Sequence, residues 1–451
     1  MMPTMQIQRR PWLALAAAAL LSACANAPAP QSFPPIVFVH GNGDSAALWT
    51  TTLWRYESQG WPRDRLFAVD LPNPLSRDDD TVAQPGRSSA AESAQALSAA
   101  VDAMLVRTGA AKVVLVGNSR GGNAIRNYVQ NHGGVAKVDR VVLGGTPSHG
   151  VWANAASRPN NEFNGAGPFL TGLNAPKGQN GDEVTPGAAW MTLRSDNNDK
   201  FAQPDGVWIG AKGTPTNVTF DGPALKGALN VVLPGRDHRE VSFHPEAFAK
   251  TFEFITGRAP NGTAITPEAA PVLDGKVGAN NLPLPGATVE VYAVDPATGA
   301  RRGAAVHRKT VGADGLWGPF STSPSAHYEF VIAAPGYATT HLYRSPFPRS
   351  SAIVNLRPER LADADKDAAS VLTFTRPRAY FGLPRDRIVF DGNPPPGVPP
   401  GVAGVASSKL KLKDSGRPVA AEFESGPIRE RLVGVAWPAA ENRVVVLELS
   451  D

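Results

Sequence analysis

The chain has a single cysteine, Cys24, among its 451 residues. No intramolecular disulfide is therefore possible, and packing and hydrogen bonds must hold the fold. Charge is sparse too: Asp, Glu, Lys and Arg make up 19% of the residues, 44 basic against 40 acidic, for a formal net charge of +4. No basic cluster runs beyond a few residues or interleaves with aromatics, so the electrostatic footprint of a nucleic-acid binder is missing. Long apolar runs are lacking as well. The stretch from Trp12 to Leu21 is too short to span a bilayer as a helix. What abounds is glycine and proline, 44 and 42 residues, which excludes a helical bundle and suits many turns between short strands. An apolar content of 42% supplies a large core, and the length fits two or three domains.

Arg9-Arg10, the run Trp12 to Leu21 and Leu21-Ser22-Ala23-Cys24 together read as an export signal over residues 1–24. The tetrapeptide resembles the lipobox of bacterial lipoproteins, which implies lipidation at Cys24 and a membrane partner through that lipid. Ala25 rather than Asp follows the cysteine, so the same resemblance implies the outer membrane as destination. The alternative is cleavage at Ala25-Asn26-Ala27 with Cys24 lost, giving a periplasmic or secreted protein.

Residues 33–257 alternate strand, loop and helix, the pattern of a mostly parallel sheet covered by helices on both faces. Apolar runs at Ile36–Val39, Leu66–Val69, Val113–Val116, Val141–Leu143 and Leu229–Leu233 predict strands buried on both sides. Leu97, Val101 and Met104 form one helical stripe, and Phe248, Phe252 and Ile255 form another in a helix expected to start at Pro245. Residues 258–271 read as a Pro/Gly/Thr-rich linker. Residues 272–451 then read as an all-β region, two small sandwiches or one irregular barrel, with strands at Thr288–Val294, Tyr328–Ile332 and Val444–Leu449.

Chemistry points to the first of these regions. Val113–Val116 runs into Gly117-Asn118-Ser119-Arg120-Gly121 and then a helical segment, the strand-turn-helix context that a G-x-S-x-G nucleophile elbow requires. Ser119 is the candidate nucleophile, and a serine needs a histidine base oriented by a carboxylate. Of the eight histidines, His307, His327 and His341 fall in the β region, while His40, His132 and His149 come too early for the Ser, acid, His order. His238, on the loop after Leu229–Leu233, is preferred to His244, which stands at a helix start. The acid is expected after the strand Trp190–Ser195, as Asp199 or Asp196, with Asp199 preferred. His40-Gly41-Asn42-Gly43 imitates a dinucleotide fingerprint. An oxyanion-hole loop explains the same glycines with fewer assumptions, its backbone N–H at Asn42 joined by that of Arg120.

Val39-His40-Gly41-Asn42-Gly43, the elbow, Gly144–Gly150 and Gly235-Arg236-Asp237-His238 resemble the bacterial lipases and esterases of the α/β-hydrolase superfamily, and the whole chain resembles two-domain lipases with a C-terminal β domain. That resemblance implies a serine hydrolase of carboxylic esters that forms an acyl-enzyme through Ser119, Asp199 and His238, acting on lipid or, alternatively, polyester. The contrasting class is a non-catalytic surface binding protein on a hydrolase scaffold. No cofactor and no metal are expected. The stretch from Val151 to Ala189 reads either as a lid or as a surface excursion anchored by its aromatics. The β region reads as non-catalytic, with Trp317, Phe320, Tyr328, Tyr337, Tyr343 and Phe347 expected to supply both a core and an apolar face beside the site's mouth.

Overall fold

The structure is a computed structural model that describes residue 1 and residues 33–450. Cys24 and the export signal lie outside the described residues. Pro35–Asp451 form one compact unit.

Six strands build its first sheet: β1 (Ile36–Val39), β2 (Leu66–Val69), β3 (Val113–Asn118), β4 (Val138–Gly144), β5 (Ala189–Ser195) and β6 (Leu229–Leu233), in spatial order β2-β1-β3-β4-β5-β6. Every pairing is parallel. Parallel neighbours need crossovers: α1 (Thr50–Ser58) lies between β1 and β2, α2 (Ala90–Thr108) between β2 and β3, α3 (Arg120–Asn131) between β3 and β4, α4 (Pro168–Asn174) between β4 and β5, and the short helical turns Lys200–Ala202 and Val207–Ile209 between β5 and β6, while α5 (Glu240–Phe243) and α6 (Pro245–Thr256) follow the last strand. Strand alternation sends Val37 and Val39 to one face, where they join Leu97, Val101, Met104 and Ile125 in a buried cluster. It sends Phe38 to the other face, against Trp49 (ring centroids 5.2 Å) and Tyr56 (5.8 Å), which in turn meets Phe248 of α6 at 5.0 Å. Helices thus cover both faces.

Local signals set the helix ends. Ser89 Oγ accepts from Glu92 N (3.1 Å) and Glu92 Oε2 accepts from Ser89 N (2.7 Å), a capping box that starts α2; Gly109, at φ 64°, ends it in the left-handed conformation glycine tolerates. Pro245 opens α6, and His244 Nδ1 accepts from Glu246 N at 3.2 Å. One expectation fails here. β6 is not buried on both sides: it is the edge of the sheet, and Leu229 and Val232 are 56% and 44% exposed. A short apolar run cannot distinguish a central strand from an edge, because that depends on which strand follows it in space.

Beyond the α/β part lies a seven-stranded sheet ordered 307–310, 288–293, 328–333, 339–344, 443–448, 370–375 and 407–412. The 443–448 strand pairs parallel with both 339–344 and 370–375, and the remaining pairs are antiparallel. A three-stranded sheet (387–390, 418–425, 428–435) shares an apolar cluster with it around Phe374, Phe390 and Phe423. A second cluster holds Trp317, Phe320, Tyr328, Phe330 and Phe347 together with Trp54 of α1, whose indole donates to Ser350 O at 2.9 Å.

Candidate active site

In this strand order the chain reverses direction across the sheet between β1 and β3, and ligands of open α/β sheets bind beyond the carboxyl ends of strands at such a switch point. The loop after β1 carries Gly41 and Asn42, and the turn after β3 carries Ser119. Ser119 has φ 53° and ψ −125°, a backbone conformation costly for a residue with a side chain. It is held by its N–H, which donates to Gly144 O at 2.9 Å, and by its carbonyl, which accepts from Gly122 N at 3.0 Å. Close packing explains the flanking glycines. A Cβ on Gly117 would stand 2.7 Å from Ile125 Cδ1, and one on Gly121 would stand 2.6 Å from Val39 O. Gly41 also approaches the turn, since a Cβ there would lie 3.0 Å from Ser119 Cβ. The oxyanion-loop candidates therefore pack directly against the serine.

Asp199 and His238 come together. His238 Nδ1 and Asp199 Oδ2 are 2.8 Å apart, while Asp199 Oδ1 accepts from Phe201 N at 2.8 Å. Both carboxylate oxygens are thereby occupied and the carboxylate cannot rotate freely. Phe201 packs edge-on against the His238 ring at 4.6 Å. His238 Nε2 is buried and takes no hydrogen-bond partner. Asp196 does something else: its Oδ2 accepts from Gly235 N (3.0 Å) and its Oδ1 from Asn198 N (3.2 Å), tying the acid loop to the histidine loop. His244 serves as the cap of α6.

A cavity of about 260 Å³ has Ser119, His238, Gly41 and Asn42 in its lining, with Trp152, Phe163, Trp208 and Tyr380 among its apolar walls. A second cavity, about 390 Å³, meets it at Phe201 and His238 and is lined by Asp199, Leu143, Val218 and Phe220. The Val151–Ala189 stretch contributes Trp152 and Phe163 to the first cavity. It is fastened there by the buried residues Asn161, Glu162 and Asn164; Asn161 Nδ2 donates to Arg77 O and Asp78 O at 3.1 and 3.0 Å.

Around the site, buried polar groups hold the backbone. Arg120, whose main chain starts α3, sends its guanidinium away from the cavity to Glu162 Oε1 (2.7 Å), Pro74 O (2.9 Å) and Ser88 O (2.7 Å). Burial drives Glu162 up to about 7 despite that arginine. Asn118 Nδ2 lies 2.8 Å from Ser242 Oγ and 3.2 Å from both Gly144 O and His238 O, linking the elbow to the histidine loop. His40 accepts at Nε2 from Leu71 N (3.0 Å), and its Nδ1 sits 2.9 Å from Gly41 O. Burial lowers the pKa of this ring, so a neutral imidazole that donates to Gly41 O fits both contacts. Lys200, beside the acid, lies 4.0 Å from the Tyr380 ring centroid and donates to Gly404 O at 2.9 Å. Burial, aided by Arg239, brings it down to about 8.

Sequence reasoning missed Asn118, Glu162 and Tyr380 as parts of this surrounding. Asn118 carried a signal, the polar residue directly before the serine; Glu162 and Tyr380 carried none, because their partners are distant in the chain. The expected apolar face also needs correcting. Trp317, Phe320, Tyr328, Tyr343 and Phe347 are at most 8% exposed and face the β cores, and Tyr337 stacks under Arg360. Strand alternation turns Phe320, Tyr328 and Tyr343 inward, while Trp317 and Phe347, in loops, are held in the core by the Trp317 indole donating to Val354 O at 2.8 Å and by Phe347 packing on Phe330 at 6.2 Å; Tyr380 is the aromatic from this half that reaches the Ser119 cavity. Among the described residues no group of three or more His, Cys, Asp or Glu could hold a metal ion.

The α/β hydrolase fold family model matches residues 34–202, and the lipase C-terminal domain model matches residues 270–361. Among solved structures, Bacillus licheniformis lipase BlEst2 in mature form has 22% identity over 51% of this chain and 95% of that one, with a TM-score of 0.36. Its propeptide form has 16% identity over 90% and 94% of the two chains, also at 0.36. Carboxylesterase CesB from Bacillus subtilis has 14% identity over 51% and 86%, at 0.29. With the two family models matched in chain order, the chain carries an α/β hydrolase fold domain followed by a lipase C-terminal domain, a lipase/esterase-like hydrolase arrangement.

Proposed function

We propose that the protein hydrolyses carboxylic esters through a covalent acyl-enzyme on Ser119. The observation that carries this reading is the 2.8 Å contact between His238 Nδ1 and Asp199 Oδ2, with His238 Nε2 unpartnered in the lining that also holds Ser119. In this reading Ser119 Oγ attacks the ester carbonyl while His238 Nε2 takes its proton, and Asp199 stabilises the imidazolium. The backbone N–H groups of Asn42 and Arg120 receive the oxyanion. As the carbon–oxygen bond to the alcohol breaks, His238 returns the proton to the leaving oxygen. Water, deprotonated by the same ring, then attacks the acyl carbon, releases the carboxylic acid and restores the Ser119 hydroxyl.

The test is hydrolysis of p-nitrophenyl esters together with labelling by a fluorophosphonate. Wild type should react and hydrolyse; Ser119→Ala should lose labelling and fall in kcat by about 10⁶. Equal labelling of the two proteins would sink the assignment.

Export with a lipid at Cys24 is the second part of the proposal and rests on the Leu-Ser-Ala-Cys pattern. Cys24→Ser should shift the protein from the detergent fraction to a soluble one, because each buried CH₂ of a lipid chain contributes about 0.8 kcal/mol of anchoring. Unchanged membrane association in that variant refutes the anchor.

A further inference from the structure

The loop that carries His238 is closed on itself by Asp237, whose Oδ1 accepts from Arg239 N (2.8 Å) and Glu240 N (2.9 Å). Its outer contacts come from more than a hundred residues further along the chain. Arg385 Nη1 donates to Gly235 O at 3.0 Å and to Glu240 Oε2 at 2.7 Å. Arg376, wholly buried, pairs with Glu240 Oε1 at 2.8 Å. Asp237 Oδ2 accepts from Tyr380 N at 2.8 Å, and Arg239 Nη1 donates to Pro377 O at 2.8 Å. The Gly235 carbonyl and the Glu240 carboxylate thus receive guanidinium groups from the β region and Asp237 receives a β-region amide, while Arg239 donates in return to Pro377 O.

The same segment touches the acid side. The Tyr380 ring has Lys200 Nζ 4.0 Å and Arg239 Cζ 4.9 Å from its centroid, and these residues directly follow Asp199 and His238. Asn198 Oδ1 accepts from Ala403 N at 3.0 Å. On the oxyanion side, Asn281 Nδ2 donates to Asp44 O at 2.7 Å. Tyr380 itself is 6% exposed and shares the cavity lining with Ser119 and His238.

We infer that residues 376–386 complete the active site: Tyr380 is a specificity-determining wall that contacts the ester's acyl or alcohol group, and Arg385, with Arg376, is a positioning residue for His238. This inference rests on the reading of Ser119, Asp199 and His238 as a catalytic triad. The physical basis is that buried carboxylates such as Glu240 hold one geometry only while their guanidinium partners are present. A catalytic base that wanders by an ångström loses much of its effect, and an aromatic wall favours apolar groups laid against its face.

The experiment uses the full-length chain, with p-nitrophenyl acetate and p-nitrophenyl decanoate as substrates. Arg385→Met should lower kcat roughly ten- to a hundredfold on both esters, with KM moving less than about twofold, and Arg385→Lys should recover part of the loss. Tyr380→Ala should cost the decanoate at least about tenfold more in kcat/KM than the acetate, and Tyr380→Phe, which keeps the ring, should return the wild-type ratio. Circular dichroism on each variant separates these effects from loss of folded protein. Wild-type labelling by a fluorophosphonate, combined with wild-type kcat in Arg385→Met and a wild-type chain-length ratio in Tyr380→Ala, overturns the inference alone. Losses that track the unfolded fraction also overturn it. Absence of labelling in the wild type overturns the underlying triad reading and the inference with it.

Discussion

Gly121→Ala is the smallest change that should disable the site, and its effect can be worked out from the packing. The added methyl would stand 2.6 Å from Val39 O, with His40 O closer still. Both obstacles are backbone of β1 and its loop, so no side chain can swing aside. Relief to an ordinary carbon-to-oxygen contact of about 3.3–3.6 Å requires α3 and the end of β1 to part by about 1 Å, since the His40 O contact is the shorter of the two. Ser119 directly precedes α3 and Asn42 follows β1, so that separation opens directly between the proposed nucleophile and oxyanion donor. A displacement of that size costs about a hundredfold in rate, or roughly 2.7 kcal/mol of barrier. Overpacking adds a stability loss of about 1–3 kcal/mol. The assay is kcat/KM on p-nitrophenyl butyrate with a parallel thermal melt. Gly172→Ala is the control: it lies in α4 with no atom within 4 Å of its Cβ position, and should gain about 0.5–1 kcal/mol. A Gly121→Ala protein with kcat/KM within threefold of wild type and an unshifted melt would refute the reasoning.

Two further substitutions probe the carboxylates. Asp199→Asn should lower kcat by about 10⁴, since the amide can hold His238 in the wrong tautomer, whereas Asp196→Asn, which perturbs two loop amides and the Ser195 hydroxyl, should cost less than about tenfold; the reverse ranking would exchange their roles. Glu162 binds its proton more tightly folded than unfolded, so its contribution to stability is complete below about pH 4.5 and is lost as pH rises through about 7, up to roughly 3 kcal/mol. Glu162→Gln should therefore flatten the dependence of melting temperature on pH between those values, and parallel curves for the two proteins would show that Glu162 is ionised throughout.

What could be read ahead of the structure was local. The apolar runs at Ile36–Val39 and Val113–Val116 became adjacent central strands, because β-branched residues between turn signals leave little else for them to do. The elbow was visible because a tight strand-to-helix turn needs Gly117 and Gly121 at fixed offsets from Ser119. Asp199 and His238 were reachable through chain order, each lying just past a strand end. The remainder required the tertiary fold. Tyr380 meets Asp237 across 143 residues, and no periodicity encodes that approach. Leu229–Leu233 reads as a central strand until its place at the sheet's edge is known. Aromatics such as Tyr328 and Tyr343 are equally compatible with a core and with a binding face, and only the register of their strands decides.

The reach of the hydrogen bonds that join the β region to the α/β part has a consequence for biogenesis. Arg378 Nε donates to Ala47 O across 331 residues, and Ala403 N donates to Asn198 Oδ1 across 205. Contacts this distant form late, because the closure entropy of the intervening loop must be overcome first. A nascent chain released through Thr256 already contains Ser119, Asp199 and His238, yet Glu240 and Asp237 are then carboxylates without their guanidinium partners, and the cavity lacks the Tyr380 wall. Completion of the pocket is thus deferred until residues 376–386 have been made, more than a hundred positions after His238, so the loop of the proposed base and the wall of its cavity reach their final geometry only once the β region has docked on the α/β part.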